Sequence, residues 1–112
     1  MSRIELPPQV AKEVTRAGGY GKVVSGIPSR GQLSTTAKHH LALSDPKRLK
    51  ILWALSSSDL CPCLLKKITK ISDSRLSYHL RILEENRLIR SRRSKSWRIY
   101  TITDSARNLF DK

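Results

Sequence analysis

The sequence predicts a mostly α-helical domain carrying a small β-hairpin, preceded by an N-terminal helical arm. Three observations predict it. Beyond residue 37, apolar residues recur at helical spacing in successive segments opened by capping residues. The spacing then switches to alternation over LIRSRRSKSWRIYTI, residues 88–102. The residues that interrupt helices gather early, as Pro7, Pro8, Gly18, Gly19, Gly21, Gly26, Pro28 and Gly31.

Taken in order, Pro7-Pro8 opens a helix whose face is Val10, Val14 and Ala17, ended by Gly18-Gly19. Ser29 caps another through Leu33, Ala37, His40 and Leu41. These fragments form the arm, residues 1–36, and the domain follows as residues 37–112. Asp45-Pro46 is an N-cap with proline at the first helical position. Leu49, Ile51, Leu52, Trp53 and Leu55 then mark the apolar face, with Lys47, Arg48 and Lys50 off it, and Ser56-Ser57-Ser58 ends the run. A shorter helix through Leu64, Leu65 and Ile68 closes near Lys70. Ser72 or Asp73 caps the next, in which Leu76, Leu80 and Leu83 face inward. The alternating segment folds into a hairpin about a polar turn, Arg93-Ser94-Lys95-Ser96, with Trp97 and Ile99 opposite Tyr100 and Ile102 across the pleat. Thr103-Asp104 caps a last short helix bearing Ala106, Leu109 and Phe110. Three helices, a basic hairpin and a helix make the plan of a winged helix-turn-helix domain.

Composition bounds the function. A chain of 112 residues holds one domain plus an arm and buries a modest core. Twenty-two Lys and Arg against nine Asp and Glu give a net charge of +13, which calls for a polyanion, nucleic acid ahead of an anionic membrane surface. No apolar run reaches the roughly 18 to 20 residues of a membrane span. The opening MSRIELPPQV lacks the apolar core of a signal peptide, so a reducing cytoplasm is expected, where a permanent disulfide is disfavoured. No Ser-His-Asp set, glycine-rich phosphate loop or carboxylate pair stands out, and the cysteine spacing is not Cys-x-x-Cys, so an enzyme is not expected.

The nucleic-acid expectation has an address. The helix after Ser72 shows Ser74, Arg75, Ser77, Tyr78 and Arg81 away from its leucines, a short polar and basic face suited to the DNA major groove. The hairpin carries Arg87, Arg90, Arg92, Arg93, Lys95 and Arg98 with no acid between Asn86 and Thr103. Arg92, Arg93 and Lys95 are the expected phosphate contacts at its tip. Such a charge run is ordinarily a solvated face; here it coincides with a wing that follows a recognition helix. An architectural DNA binder without an effector, or a winged-helix module that binds protein, remains an alternative.

Three ordered motifs resemble the ArsR/SmtB (arsenic-repressor-like) transcriptional regulators. ALSDPKRLKILWAL is similar to their Asp-Pro-x-Arg-Leu-x-Ile-Leu signature, DLCPCLL to their Glu-Leu-Cys-Val-Cys-Asp-Leu metal box, and SDSRLSYHLRIL to their Ser-x-x-Ser-x-His-Leu recognition helix. The resemblance covers about residues 41 to 105, with the arm reminiscent of archaeal members. It implies a homodimer on an operator palindrome that leaves when an effector binds, acting in most such cases as a repressor. Such dimers pair through their first and last helices; the short last helix here shifts part of that pairing to the arm. His79 falls on the recognition pattern beside Leu80, where it either contacts DNA or packs against the protein.

Cys61 and Cys63, the two cysteines of the chain, would point roughly 200° apart inside a helix. Pro62 changes that: proline suits the first helical turn, which puts Cys61 near the N-cap and Cys63 just inside. There the free amides and the helix dipole favour a thiolate, with Lys66 and Lys67 pushing the same way. Three readings stand open: a redox switch through a reversible, strained disulfide; a site for As(III) or another thiophilic metal, which the resemblance suggests but which lacks the family's third thiolate; or packing beside Leu60 and Leu64. His39 and His40 lie about 100° apart on their helix, a weak metal signal by themselves. The zinc site that other family members build on the final helix is not expected, because residues 103–112 contain no histidine.

Overall fold

The computed structural model describes residues 4–109. Among them run α1 (Pro8–Arg16), α2 (Tyr20–Ser25), α3 (Arg30–Leu43), α4 (Pro46–Ser57), α5 (Pro62–Thr69), α6 (Asp73–Glu85), β1 (Ile89–Ser94), β2 (Trp97–Ile102) and α7 (Asp104–Arg107). The chain divides into two compact units, residues 1–35 and 36–112.

In the first unit, Pro7 precedes α1, and Gly18 and Gly19 follow it with φ of +104° and +99°. That left-handed backbone suits glycine, which has no Cβ to clash. The helix α2 lies in a stretch where no apolar periodicity marks it. Ser29 and Gln32 open α3 with a reciprocal capping box: Ser29 Oγ accepts from the Gln32 amide at 3.2 Å, and Gln32 Oε1 accepts from the Ser29 amide at 2.9 Å. Neither α1 nor α2 contains a buried residue.

The second unit is mostly helical with one antiparallel hairpin, the winged helix-turn-helix plan. Its core takes Ile51, Leu52 and Leu55 from α4, Leu65 from α5, and Leu76, Leu80 and Leu83 from α6. Ala42 at the end of α3, Leu88 before β1, Ile89, Tyr100 and Ile102 of the hairpin and Ala106 of α7 complete it. Each fully buried leucine or isoleucine contributes about 1.5–3 kcal/mol by leaving water. Asp45 caps α4, its carboxylate accepting from the amides of Lys47 at 2.7 Å and Arg48 at 3.2 Å. Ser72 caps α6 and Thr103 caps α7. Lys70, left-handed at φ 57°, ends α5 and turns the chain toward α6. Lys47 Nζ donates to the Thr69 carbonyl at 2.8 Å, tying the start of α4 to the end of α5.

The structure corrects three details of the expected fold. Trp53 is 55% exposed, because it lies beside the apolar face of α4 and not on it. Arg48, expected on the solvent side, is buried. The hairpin turn is only Lys95-Ser96, since Arg93 pairs with Arg98 and Ser94 with Trp97; Lys95 takes the left-handed conformation that so short a turn requires. Phe110 lies outside the described residues.

Candidate nucleic-acid interface and thiol site

The exposed face of α6 is short and polar for a local reason. Its leucines are spaced to bury one side, and Ser72 fixes the entry by bonding the Arg75 amide at 3.2 Å. Ser74, Arg75, Ser77, Tyr78 and Arg81 are all exposed. The Arg81 guanidinium lies 5.7 Å from the centre of the Tyr78 ring, within reach of a cation–π contact. Glu85 stands 3.9 Å from Arg81, a weak exposed pair.

His79 is a correction to the expected DNA-contacting set. Its side chain is turned inward and only 5% of the residue is exposed. Nδ1 lies 3.0 Å from Nη1 of Arg48. Arg48 also donates through Nε to the Ala42 carbonyl at 2.6 Å and through Nη2 to the Leu41 carbonyl at 3.2 Å. One buried guanidinium therefore joins the end of α3, the start of α4 and the middle of α6. Burial, followed by the charges of Arg48 and Arg75, lowers the His79 pKa below its usual 6.5 against the opposing pull of Asp45. Asp45 is itself lowered: burial opposes, but the Lys47 and Arg48 amides and the nearby positive charges prevail.

On the wing, Arg90, Arg92, Arg93, Lys95 and Arg98 are exposed. The acid-free run nevertheless has an acidic neighbour from outside it. Arg92 Nη1 lies 3.1 Å from Asp59 Oδ2 and donates to Thr101 Oγ1 at 2.9 Å. Arg98 Nη1 donates to Ser91 Oγ at 3.0 Å, and Ser91 Oγ in turn to Glu84 at 3.2 Å. Two wing arginines are thus oriented by side chains, while no bond of this kind restrains Arg93 or Lys95 among those described.

Cys61 is the N-cap of α5, Pro62 its first residue and Cys63 its second. The two Sγ atoms lie 3.1 Å apart, both thiols free. The bond from Cys63 and then the Leu64 amide lower the Cys61 pKa below the usual 9.0, and the same bond raises that of Cys63. Cys63 is exposed and Cys61 partly so, which removes the reading of both as packing residues. Lys66 is engaged elsewhere, with Asp73 at 3.0 Å. Among the described residues no three of His, Cys, Asp and Glu gather as a metal site. His40 Nδ1 is 2.8 Å from the Thr36 carbonyl and so bonded within its own helix; His39 is partly buried.

Two residues central to these contacts escaped the sequence reading. Arg48 sits in the DPKRL motif, but its polar character puts it on the outside in any periodicity count. Asp59 opens DLCPCLL, and nothing local joins it to an arginine 33 residues away.

Residues 45–91 match the arsR family of bacterial regulatory proteins. A transcriptional repressor SmtB homolog from Synechocystis is 37% identical over 79 residues, covering 70% of this chain and 60% of that protein. The arsenical resistance operon repressor of Bacillus subtilis is 38% identical over 68 residues, 60% of this chain and 65% of that protein. An uncharacterized HTH-type transcriptional regulator of Methanocaldococcus jannaschii is 33% identical over 64 residues, 56% of this chain and 72% of that protein. The chain thus spans less than two thirds of the first two relatives. Among solved structures, a homodimeric winged helix-turn-helix DNA-binding domain of a possible ArsR-family regulator from Mycobacterium bovis superposes with a TM-score of 0.68 at 25% identity. It covers 76% of this chain and 82% of that one. No helix among the described residues is long and apolar enough to cross a membrane.

Proposed function

This chain belongs to the arsR family of bacterial regulatory proteins, and from that membership we propose that it is a homodimeric, operator-binding transcriptional repressor whose grip on DNA is set at the Cys61–Cys63 pair. Ser74, Arg75, Ser77, Tyr78 and Arg81 read base edges in the major groove, and Arg92, Arg93 and Lys95 hold phosphates. A net charge of +13 and an exposed basic wing support that division. The exposed Val10, Tyr20, Val23, Val24 and Ile27 of the arm support a share for it in pairing.

The observation that carries the sensing reading is the 3.1 Å approach of two accessible thiols at a helix start. Two chemistries suit it. A peroxide takes two electrons from the pair, giving a disulfide and two waters. Trivalent arsenic, favoured by relatives named for arsenical resistance, exchanges two hydroxides for two sulfurs without redox change. Both consume one Cys61–Cys63 pair, and both are reversed by excess dithiol.

The test is operator affinity at fixed salt under reductant, hydrogen peroxide or arsenite, in wild type and in Cys61→Ser/Cys63→Ser. At least one reagent is expected to weaken the wild type about tenfold or more, in the usual range of allosteric coupling, and neither to weaken the variant. Unchanged wild-type affinity under both would remove the thiols as the sensor.

A further inference from the structure

Three consecutive residues join the thiols to the wing. Leu60 and Tyr100 exchange both backbone hydrogen bonds, Leu60 N–H to the Tyr100 carbonyl at 3.2 Å and Tyr100 N–H to the Leu60 carbonyl at 2.8 Å. Leu60 thus forms a one-residue third strand on β2. Just before it, Asp59 holds Arg92 of β1. Just after it, Cys61 leaves in extended conformation, φ −94° and ψ 161°, to cap α5.

We propose that the thiol pair governs DNA binding through the wing, by withdrawing Leu60 from Tyr100 and Asp59 from Arg92 when the pair is closed. This rests on the sensing reading above and names its mechanical route. A disulfide requires the sulfurs to approach from 3.1 Å to about 2.05 Å. Cys63 is set within α5, and the ring of Pro62 locks its φ. The backbone adjustment therefore falls on Cys61 and on residues 59 and 60 before it. A two-stranded hairpin is marginal without further support; Ile89, Tyr100 and Ile102 anchor its inner face in the core, and the Leu60 bridge is the backbone support at the edge of β2 that closure removes. Arg92 then loses its fixed position, and the phosphate contact that depends on it is lost.

Both triggers balance. With hydrogen peroxide, two S–H bonds and the O–O bond break, an S–S bond forms, and the thiol protons leave in two waters. With arsenous acid, two As–O and two S–H bonds break, two As–S bonds form, and two waters depart while one hydroxide stays on arsenic.

The experiment is amide hydrogen exchange on the full chain, paired with operator affinity, under reductant, hydrogen peroxide and arsenite. The reagent that weakens DNA binding is expected to speed exchange at Leu60 and Tyr100 about tenfold or more, leaving Leu76 and Leu80 of α6 unchanged. Cys61→Ser/Cys63→Ser is expected to show no response at either amide. Weakened DNA binding with Leu60 and Tyr100 still protected, or with loss of protection on α6 instead, overturns the route while sparing the sensor. Unchanged DNA binding under both reagents overturns the sensor and the route together. As a second arm, Leu60→Pro removes one bond of the bridge without touching a thiol. In the reduced state it is expected to bind DNA like the closed wild type; a folded Leu60→Pro that binds as tightly as the reduced wild type overturns the route.

Discussion

Arg48 donates through Nη1 to Nδ1 of His79 across 3.0 Å in the interior of the domain. A guanidinium has hydrogens only to give, so Nδ1 must accept, and His79 is held neutral with its proton on Nε2. The pair is a buried joint at which α3, α4 and α6 meet. It sets α6 from behind.

Removing Arg48 leaves the Ala42 carbonyl and the His79 Nδ1 without their donor, while the Leu41 carbonyl keeps the Ser44 amide at 3.1 Å and the Ser44 hydroxyl at 2.7 Å. Arg48→Ala is expected to cost about 3 kcal/mol in urea unfolding, the scale of a buried charged network broken at one member. Arg48→Lys has a single ammonium for three acceptors and is expected to recover only part of that loss. Full stability in Arg48→Ala would show that the joint contributes nothing.

The same joint makes stability depend on pH. His79 in the folded chain has a pKa below its usual 6.5, so the unfolded chain takes up its proton first. Stability is therefore greatest above about 6.5, falls as the pH drops below that value, and levels off once the folded pKa is passed. Thermal unfolding across this window is expected to show the fall in wild type and not in His79→Gln. Asp45 adds a separate loss at lower pH, below its usual 3.8, as its lowered carboxyl finally protonates.

On DNA, the recognition helix and the wing are expected to separate. Arg75→Ala or Arg81→Ala should cost about 1–3 kcal/mol on the operator and much less on random sequence. Lys95→Ala should weaken both alike and lower the salt dependence by roughly one phosphate contact. Equal losses on the two DNAs for all three variants would contradict this division.

For the thiols, alkylation rate against pH reports the thiolate directly. Cys61 is expected to react with a midpoint below the usual 9.0, and Cys63→Ser to shift that midpoint upward, because the Cys63 thiol is the first cause of the lowering. A midpoint that stays put in Cys63→Ser would mean that the helix amides alone activate Cys61.

Much of the domain was legible because its signals are local. Asp45-Pro46, Ser72 and Thr103 announce helix starts by side-chain chemistry, and the leucines of α6 announce its buried face by spacing alone. The switch to alternation at Leu88 likewise reveals the hairpin. What escaped depends on partners distant in sequence. Arg48 is polar by every count of periodicity, and only the carbonyls of Leu41 and Ala42 together with His79 make its burial tolerable. His79 fits the recognition pattern yet spends its ring on the interior. Asp59 meets Arg92, and Leu60 meets Tyr100, only after the hairpin has folded back. In the arm, α2 buries nothing, so no apolar pattern was there to mark it.

The hairpin register sets Arg93 directly across from Arg98, two like charges facing each other on neighbouring strands, an arrangement that works against pairing. Each strand carries a cation that its partner cannot neutralise. A phosphate chain laid along the wing would supply the missing counterion, and the DNA would then be a part of the hairpin as much as its target. Whatever tightened such a grip would also firm the wing, tying the folding of this element to the charge of the anion it meets.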